Sequence, residues 1–348
     1  MRRSSKTVKV GNTYIGGDSP ISVQSMLNVP PHNTQENINQ ALELEKCGCD
    51  IIRVSVPTME SIKNIYALKE KLKVPVVADI HFNHQLALES ISAGADKIRI
   101  NPGNIGSEEN IKKIAKKCAE NNVPIRVGIN SGSLEKKVLQ KYGKVTPEAM
   151  CESALHSVKL LEKYDFDNIV ISIKSSNPSN TVFAYRLVSQ KCDYPLHVGV
   201  TESGTETLGS IKSFAAIGSL LIDGIGDTIR ISLTADPKKE VEAGINLLKS
   251  LNLCKNGIEF ISCPTCARTK IDVIKIANQV EKFLSGCKKN LKVAVMGCAV
   301  NGPGEVKEAD IGIAGGNGMG IIFKKGEVIK KVKEKDLVEE LIKEIEKI

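Results

Sequence analysis

Tryptophan is absent from this 348-residue sequence, and aromatic residues make up only 4% of it. A formal net charge of +8 therefore does not read as a nucleic-acid footprint, because the lysines are spread along amphipathic stretches without aromatics between them. No apolar run reaches membrane-spanning length, and the basic start Met1-Arg2-Arg3 is followed by no apolar signal region. The expectation is a soluble, cytoplasmic protein with neither nucleic acid nor membrane as partner. Ten cysteines without a secretory signal fit a reducing compartment rather than disulfides. Cys47, Cys49, Cys118, Cys151, Cys192, Cys254 and Cys287 read as buried or incidental thiols.

Three cysteines remain, and they organise the chain: Cys263-Pro264-Thr265-Cys266, and Cys298 at the end of the apolar run Val293-Ala294-Val295-Met296. Neither Cys nor His occurs after Cys298, so the four thiolates usual for an iron–sulfur cluster, or the four Cys/His ligands of structural zinc, are not completed there. A protein oxygen must finish the set, or one position stays open. Glu305 is the candidate, since Gly302-Pro303-Gly304 makes a turn able to bring its carboxylate back. A hard carboxylate on iron exchanges easily, which would make that corner a place for substrate. A C-x-x-C pair by itself is also the mark of a dithiol redox pair or half a zinc site.

From residue 21 onward, short apolar runs alternate with amphipathic helices. Eight runs predict strands, over residues 21–24, 51–56, 76–79, 97–101, 124–129, 169–174, 196–200 and 228–233. Helix starts are signalled at Asn33-Thr34-Gln35-Glu36, Thr58-Met59-Glu60-Ser61, Ser107-Glu108-Glu109, Thr146-Pro147-Glu148 and Asp236-Pro237. Eight such units predict an α/β fold, a (β/α)8 TIM barrel. The pattern breaks at Asn256-Gly257, which divides the chain into a substrate-binding barrel over 1–252 and a smaller α+β cluster domain over 253–348. In the latter, strands are expected at 258–262, 292–296, 311–314 and 319–323, with a helix at 267–284. Gly315-Gly316-Asn317-Gly318 marks a hairpin. Residues 330–347 read as a closing helix whose lysines face solvent.

In a barrel of this kind the site lies at the carboxy-terminal strand ends. Arg53, Arg99, Arg126, Lys174 and Arg230 sit on the second, fourth, fifth, sixth and eighth strands, and two-residue alternation can point all of them inward. Against them stand Asp79, near the end of the third strand, and Glu202, just past the seventh, leaving an excess of about three positive charges. The missing partner should carry at least two negative charges, and a diphosphate fits best because arginine forks match phosphate oxygens. His81, Asn101, Asn130 and Ser232 complete the set of substrate-facing candidates, with Ser131 and Gly132 as further donors.

With both halves assembled, the chain resembles the 4-hydroxy-3-methylbut-2-enyl diphosphate synthases (the IspG/GcpE family). The pieces that carry the resemblance are Val23-Gln24-Ser25-Met26, Val77-Ala78-Asp79-Ile80-His81-Phe82, Arg99-Ile100-Asn101-Pro102-Gly103-Asn104, Arg126-Val127-Gly128-Ile129-Asn130-Ser131-Gly132-Ser133-Leu134, Ser172-Ile173-Lys174, Thr201-Glu202-Ser203-Gly204, Ser262-Cys263-Pro264-Thr265-Cys266 and the run from Gly297 to Glu305. One departure is Met26-Leu27, where the family carries Met-Thr; the chain looks like the short, two-domain bacterial form. The resemblance implies a [4Fe-4S] cluster on Cys263, Cys266, Cys298 and Glu305. It further implies reduction of 2-C-methyl-D-erythritol 2,4-cyclodiphosphate in the methylerythritol phosphate route to isoprenoids, with flavodoxin or ferredoxin as electron donor. By the same resemblance Glu202 donates a proton, and Asp79 and Asn101 orient the substrate. The competing reading is a non-redox, pterin-type barrel with a zinc-stapled accessory domain.

Topology adds one expectation. The eighth helix of a barrel ends at the face opposite the mouth, and a linker over residues 251–257 spans at most roughly 25 Å, little more than the roughly 20 Å of the helix it must retrace. A head-to-tail homodimer, each cluster domain covering the partner's barrel, removes the difficulty.

Overall fold

The first regular element is a hairpin, β1 (Val8–Val10) paired antiparallel with β2 (Thr13–Ile15). Its Gly11-Asn12 turn has Gly11 at φ +58°, the left-handed backbone that tight hairpins need. Eight apolar runs then become β3 (Ser22–Met26), β4 (Ile51–Ser55), β5 (Val76–Asp79), β6 (Lys97–Ile100), β7 (Ile125–Asn130), β8 (Ile169–Lys174), β9 (His197–Val198) and β10 (Thr228–Ile229). This is a computed structural model, and it describes residues 2–254, 258–287, 289–298 and 308–348.

All eight strands run parallel in the order β8-β7-β6-β5-β4-β3-β10-β9. A parallel bridge between Ile171 and Leu196 joins β8 to the β9 side and closes the ring. The expected (β/α)8 barrel is therefore the fold observed. Helices α1 (Thr34–Lys46), α2 (Ile62–Lys71), α3 (His84–Ser92), α4 (Glu108–Glu120), α5 (Lys136–Tyr142), α6 (Pro147–Glu162), α7 (Pro178–Ser189), α8 (Glu206–Ile222) and α9 (Pro237–Ser250) follow the strands, with α5 an extra turn of helix between β7 and α6. Their starts are fixed locally: Ser107, Thr146 and Asp236 accept from backbone amides of the first turns of α4, α6 and α9. None of the described helices is long and apolar enough to cross a membrane.

Two devices set the barrel's lower end. The hairpin stoppers it, Val8, Val10 and Ile15 packing on Ile51, Val77 and Val170 from the strands. Beside it, Asp50, Asp96 and Asp227 act as reciprocal clamps between neighbouring strands. The Val23, Val76 and Leu196 amides donate to these carboxylates at 2.7, 2.8 and 2.7 Å, and each aspartate's own N–H donates back to the same residue's carbonyl. Hydrogen bonds to a charged acceptor contribute about 1.5–3 kcal/mol each, so the clamps pin strand register. In all three cases an arginine stands three residues on, at Arg53, Arg99 and Arg230, about 10 Å further up the strand. Register at the bottom thus fixes the height of the cations at the top.

The chain divides into two compact units, Met1–Leu251 and Asn252–Ile348. In the second, β11 (Ile258–Ser262), β12 (Leu291–Met296), β13 (Ile311–Gly315), β14 (Met319–Lys324) and β15 (Glu327–Lys333) form one sheet in that order, the first three parallel and the last three antiparallel. The helices Val273–Leu284 and Leu337–Glu346 bury Ile276, Val280, Leu341 and Ile345 against it. The clamp recurs, with the Lys292 amide donating to Asp310 at 2.8 Å. Two expectations are corrected. Residues 330–333 belong to a strand rather than a helix, because the turn at Lys325 and Gly326, both at positive φ, folds an edge strand back onto β14. The first helix begins at Val273, not at residue 267, where Asp272 caps it by accepting from the Lys275 amide.

Candidate active site

The register of the strands carries every predicted strand cation to the upper lumen. Arg99 on β6 stands in register with Arg126 on β7 and with Asp79 on β5, Arg53 lies on β4 in register with Val77, and Lys174 on β8 stands opposite Asn130. Asp79, fully buried, is the shared counter-ion: Arg53 Nη2 lies 3.2 Å from Oδ2, Arg99 Nη1 3.3 Å from Oδ1, and His81 Nε2 3.7 Å from Oδ2. Burial alone would raise the Asp79 carboxyl, but the Arg53 and Arg99 guanidiniums overcome it and hold it at about 2. Arg99 reaches this position over Gly128, whose carbonyl accepts from Nη2 at 3.3 Å. A β-carbon at residue 128 would overlap the guanidinium.

Eight of the nine predicted substrate-facing residues line one cavity of about 100 Å3: Arg53, His81, Arg99, Arg126, Asn130, Lys174, Arg230 and Ser232, with Ser172 and Thr201. Burial, then Arg230 and Arg53, push the Lys174 ammonium well below the ordinary lysine range. Burial does the same to Arg126, whose Nη1 donates to Gln24 Oε1 at 2.9 Å. Asn101 is the ninth and does not line this cavity. Its Oδ1 accepts from the Gly103 amide at 3.2 Å, capping the turn Pro102–Asn104, and its Nδ2 donates to Ser133 at 3.3 Å.

Glu202, counted from the sequence among the cations, lines an adjoining cavity of about 630 Å3 that shares Asn130 and Thr201 with the cationic one. Its backbone lies at φ +52°, which costs a non-glycine residue on the order of 1 kcal/mol. The second carboxylate actually among the cations is Glu240 of α9, which sequence reasoning missed. Arg230 donates to both of its oxygens at 3.1–3.2 Å, and Ser25 Oγ and the Leu233 amide add further bonds at 3.1 and 2.9 Å. An acidic residue in a helix's first turn reads as a complement to the helix dipole; its inward direction was visible only from the packing of α9 on β3. Lys97 and His197, both fully buried in the lumen, were missed as well, although Lys97 stands two residues before Arg99 and so shares its face.

In the second unit, parallel pairing of β11 with β12 sets Ser262 beside Val295, so Cys263 and Cys298 leave the sheet at the same end. The Gly297 amide donates to Cys263 Sγ at 3.0 Å. Cys266 is exposed and its thiol is lowered, first by the Arg268 backbone amide. Cys263, Cys266 and Cys298 are free thiols, and among the described residues no three Cys, His, Asp or Glu side chains are gathered at metal-ligand distance. Glu305 lies outside the described residues.

A closed parallel barrel gathering arginine and lysine over buried carboxylates, followed by a unit with thiols at the ends of its strands, defines a TIM-barrel protein with a cationic mouth and a cysteine-bearing accessory domain. The family model for the GcpE TIM-barrel domain matches residues 5–245, and that for the GcpE protein C-terminal domain matches residues 259–347; the chain belongs to the GcpE family. It is 58% identical over 347 residues to a Clostridium perfringens protein and 59% identical over 348 residues to one from Caldanaerobacter subterraneus, covering 100% of this chain and 99% and 98% of theirs. Both are named 4-hydroxy-3-methylbut-2-en-1-yl diphosphate synthase (flavodoxin). Dihydropteroate synthases from Stenotrophomonas maltophilia and Xanthomonas albilineans superpose with TM-scores of 0.53 and 0.52 at 16% and 14% identity. They cover 71% and 72% of this chain and 97% and 98% of theirs. That likeness shows a shared barrel fold alone.

Proposed function

We propose that the cationic mouth binds 2-C-methyl-D-erythritol 2,4-cyclodiphosphate and that the protein reduces it to 4-hydroxy-3-methylbut-2-enyl diphosphate. Two electrons and two protons enter, the ring opens, and one water leaves. The protein is an oxidoreductase of isoprenoid biosynthesis. The observation that carries the site assignment is the convergence of Arg53, Arg99, Arg126, Lys174 and Arg230 on one small cavity, where Asp79 and Glu240 are the only carboxylates paired with them among the described residues. Uncompensated buried cations are costly unless an anion arrives, and a diphosphate supplies it.

In this reading the arginines, Lys174, His81, Asn130 and Ser232 hold the diphosphate and fix its orientation. Asp79 keeps Arg53 and Arg99 in place, and Asn101 shapes the loop over the site. Glu202, at the border of the adjoining cavity, delivers the proton to the departing oxygen. The thiols of Cys263, Cys266 and Cys298 suit a [4Fe-4S] cluster, with the Gly297 amide on Cys263 Sγ as the kind of sulfur hydrogen bond that tunes such a group; Glu305 is the proposed fourth ligand. The cluster would supply the electrons that no side chain can. Flavodoxin is the proposed electron donor, a cytoplasmic homodimer the proposed assembly, and residues 1–252 and 253–348 the proposed division of labour.

Anaerobically purified protein, given reduced flavodoxin and the cyclodiphosphate, should release 4-hydroxy-3-methylbut-2-enyl diphosphate and show the brown colour of an iron–sulfur protein. A colourless, zinc-containing protein that leaves the cyclodiphosphate unchanged would refute the reading.

A further inference from the structure

Below the mouth the barrel lumen is polar, where barrels of this fold are ordinarily filled by branched apolar side chains. Lys97 on β6 and His197 on β9 are fully buried. Among the described residues, neither Lys97 Nζ nor either His197 ring nitrogen has a hydrogen-bond partner. Gln24 Nε2 and Arg126 Nε in the same lumen, and Ser22 Oγ and Thr228 Oγ1 on β3 and β10, are also unpartnered. Buried polar atoms are rarely left so, and a cluster of them is the setting in which proteins keep internal water.

The charges facing this layer are mostly positive. From β4 comes Arg53, from β6 Arg99, from β7 Arg126, from β8 Lys174 and from β10 Arg230. The carboxylates nearby are already engaged: Asp79 of β5 by Arg53 and Arg99, Glu240 behind Arg230, and Asp96 at the lower end by Lys69 at 2.6 Å and the Val76 amide. Burial first, and then Arg126, push both Lys97 and His197 well below their ordinary ranges.

We propose that this lumen is a hydrated, proton-accepting chamber which takes up protons on Lys97 and His197 when a diphosphate seats in the mouth above. The inference rests on the assignment of the mouth as a diphosphate site. Two added negative charges one layer up offset the cations that disfavour protonation, and the lumen answers by binding protons. By linkage, affinity for the diphosphate rises as pH falls through the range in which these groups titrate.

The test is calorimetric titration of the intact, cluster-bearing protein with 2-C-methyl-D-erythritol 2,4-cyclodiphosphate. It is run at pH 8 without reductant, in buffers of different ionisation enthalpy. The cyclic diphosphate has no group titrating near neutrality, so proton uptake reports the protein. Uptake of at least about half a proton per site is expected, falling by half or more in Lys97→Met and in His197→Gln and keeping the lumen's share in Lys174→Met. Binding with no uptake, or uptake unchanged in both lumen variants, overturns the proposal and leaves the mouth assignment standing. Absence of binding overturns both. Wild-type protein gives an independent reading should a variant fail to fold. With only five histidines in the chain, ring-labelled protein should show one buried imidazole shifting to imidazolium on binding, and a shift in no buried histidine counts against the chamber.

Discussion

Asp79→Asn removes the carboxylate on which Arg53 and Arg99 close while keeping its shape. A carboxyl moved from 3.8 to about 2 is held in its charged form by roughly 2.4 kcal/mol, at about 1.36 kcal/mol per pH unit. Removing one partner of a buried ion pair costs about 3–5 kcal/mol by comparison with other proteins, so a loss of about 2–4 kcal/mol is expected. For a barrel of this size each kcal/mol moves Tm by about 2–4 °C, giving a fall of about 5–15 °C in a circular-dichroism melt at pH 7. The pH dependence gives a second signature. A carboxylate whose pKa is depressed in the folded state adds stability above its unfolded pKa near 4, and that stability is lost as pH falls toward 2. Wild type should therefore shed this increment between about pH 4 and 2, and the Asn variant should lack that portion of the acid limb. Inorganic pyrophosphate should restore part of the lost Tm, since its charge stands in for the missing one. A Tm change under about 2 °C together with an unchanged acid limb would show that Asp79 is not the counter-ion of the mouth.

Cys298→Ser should lose most of the bound iron, whereas Glu305→Ala should retain a cluster but turn over poorly, because three thiolates hold iron more strongly than one oxygen does; equal iron loss in both would make Glu305 purely structural. Arg53→Ala should raise KM, with Glu202→Gln instead lowering kcat by about 100-fold or more, and steady-state kinetics showing the reverse split would remove the assigned roles. Co-expression of an Arg53→Ala/Glu202→Gln subunit with a Cys263→Ser subunit should recover activity in mixed dimers. Inactivity of mixed dimers verified by mass would argue for a cluster domain serving its own barrel.

The barrel was legible because each strand is a short β-branched run bounded by turn residues, and because two-residue alternation left Arg53, Arg99, Arg126 and Lys174 on one face. The same alternation applied one step earlier would have found Lys97, but a lysine at a strand's start reads as a solvent-facing residue until the ring closes around it. Glu240 was hidden for a related reason: its role depends on where α9 packs, a tertiary fact. The hairpin at Gly11-Asn12 carried a turn signal in a segment judged only for its lack of a signal peptide. At residues 330–333, Val332 and the later leucines share a helical spacing, yet a two-residue glycine turn and pairing with β14 decide for strand.

The hairpin that stoppers the barrel also determines how the molecule meets its ligand from a distance. With Val8, Val10 and Ile15 sealing the lower end, a low-dielectric wall surrounds the cations on all sides but one, and their field escapes through a single aperture. Such focusing raises the encounter rate of a small anion by 10-fold to about 1000-fold and makes it fall steeply with ionic strength. Association should therefore slow with added salt more than dissociation quickens, and loosening the stopper, far from any residue that touches the ligand, should blunt that salt dependence.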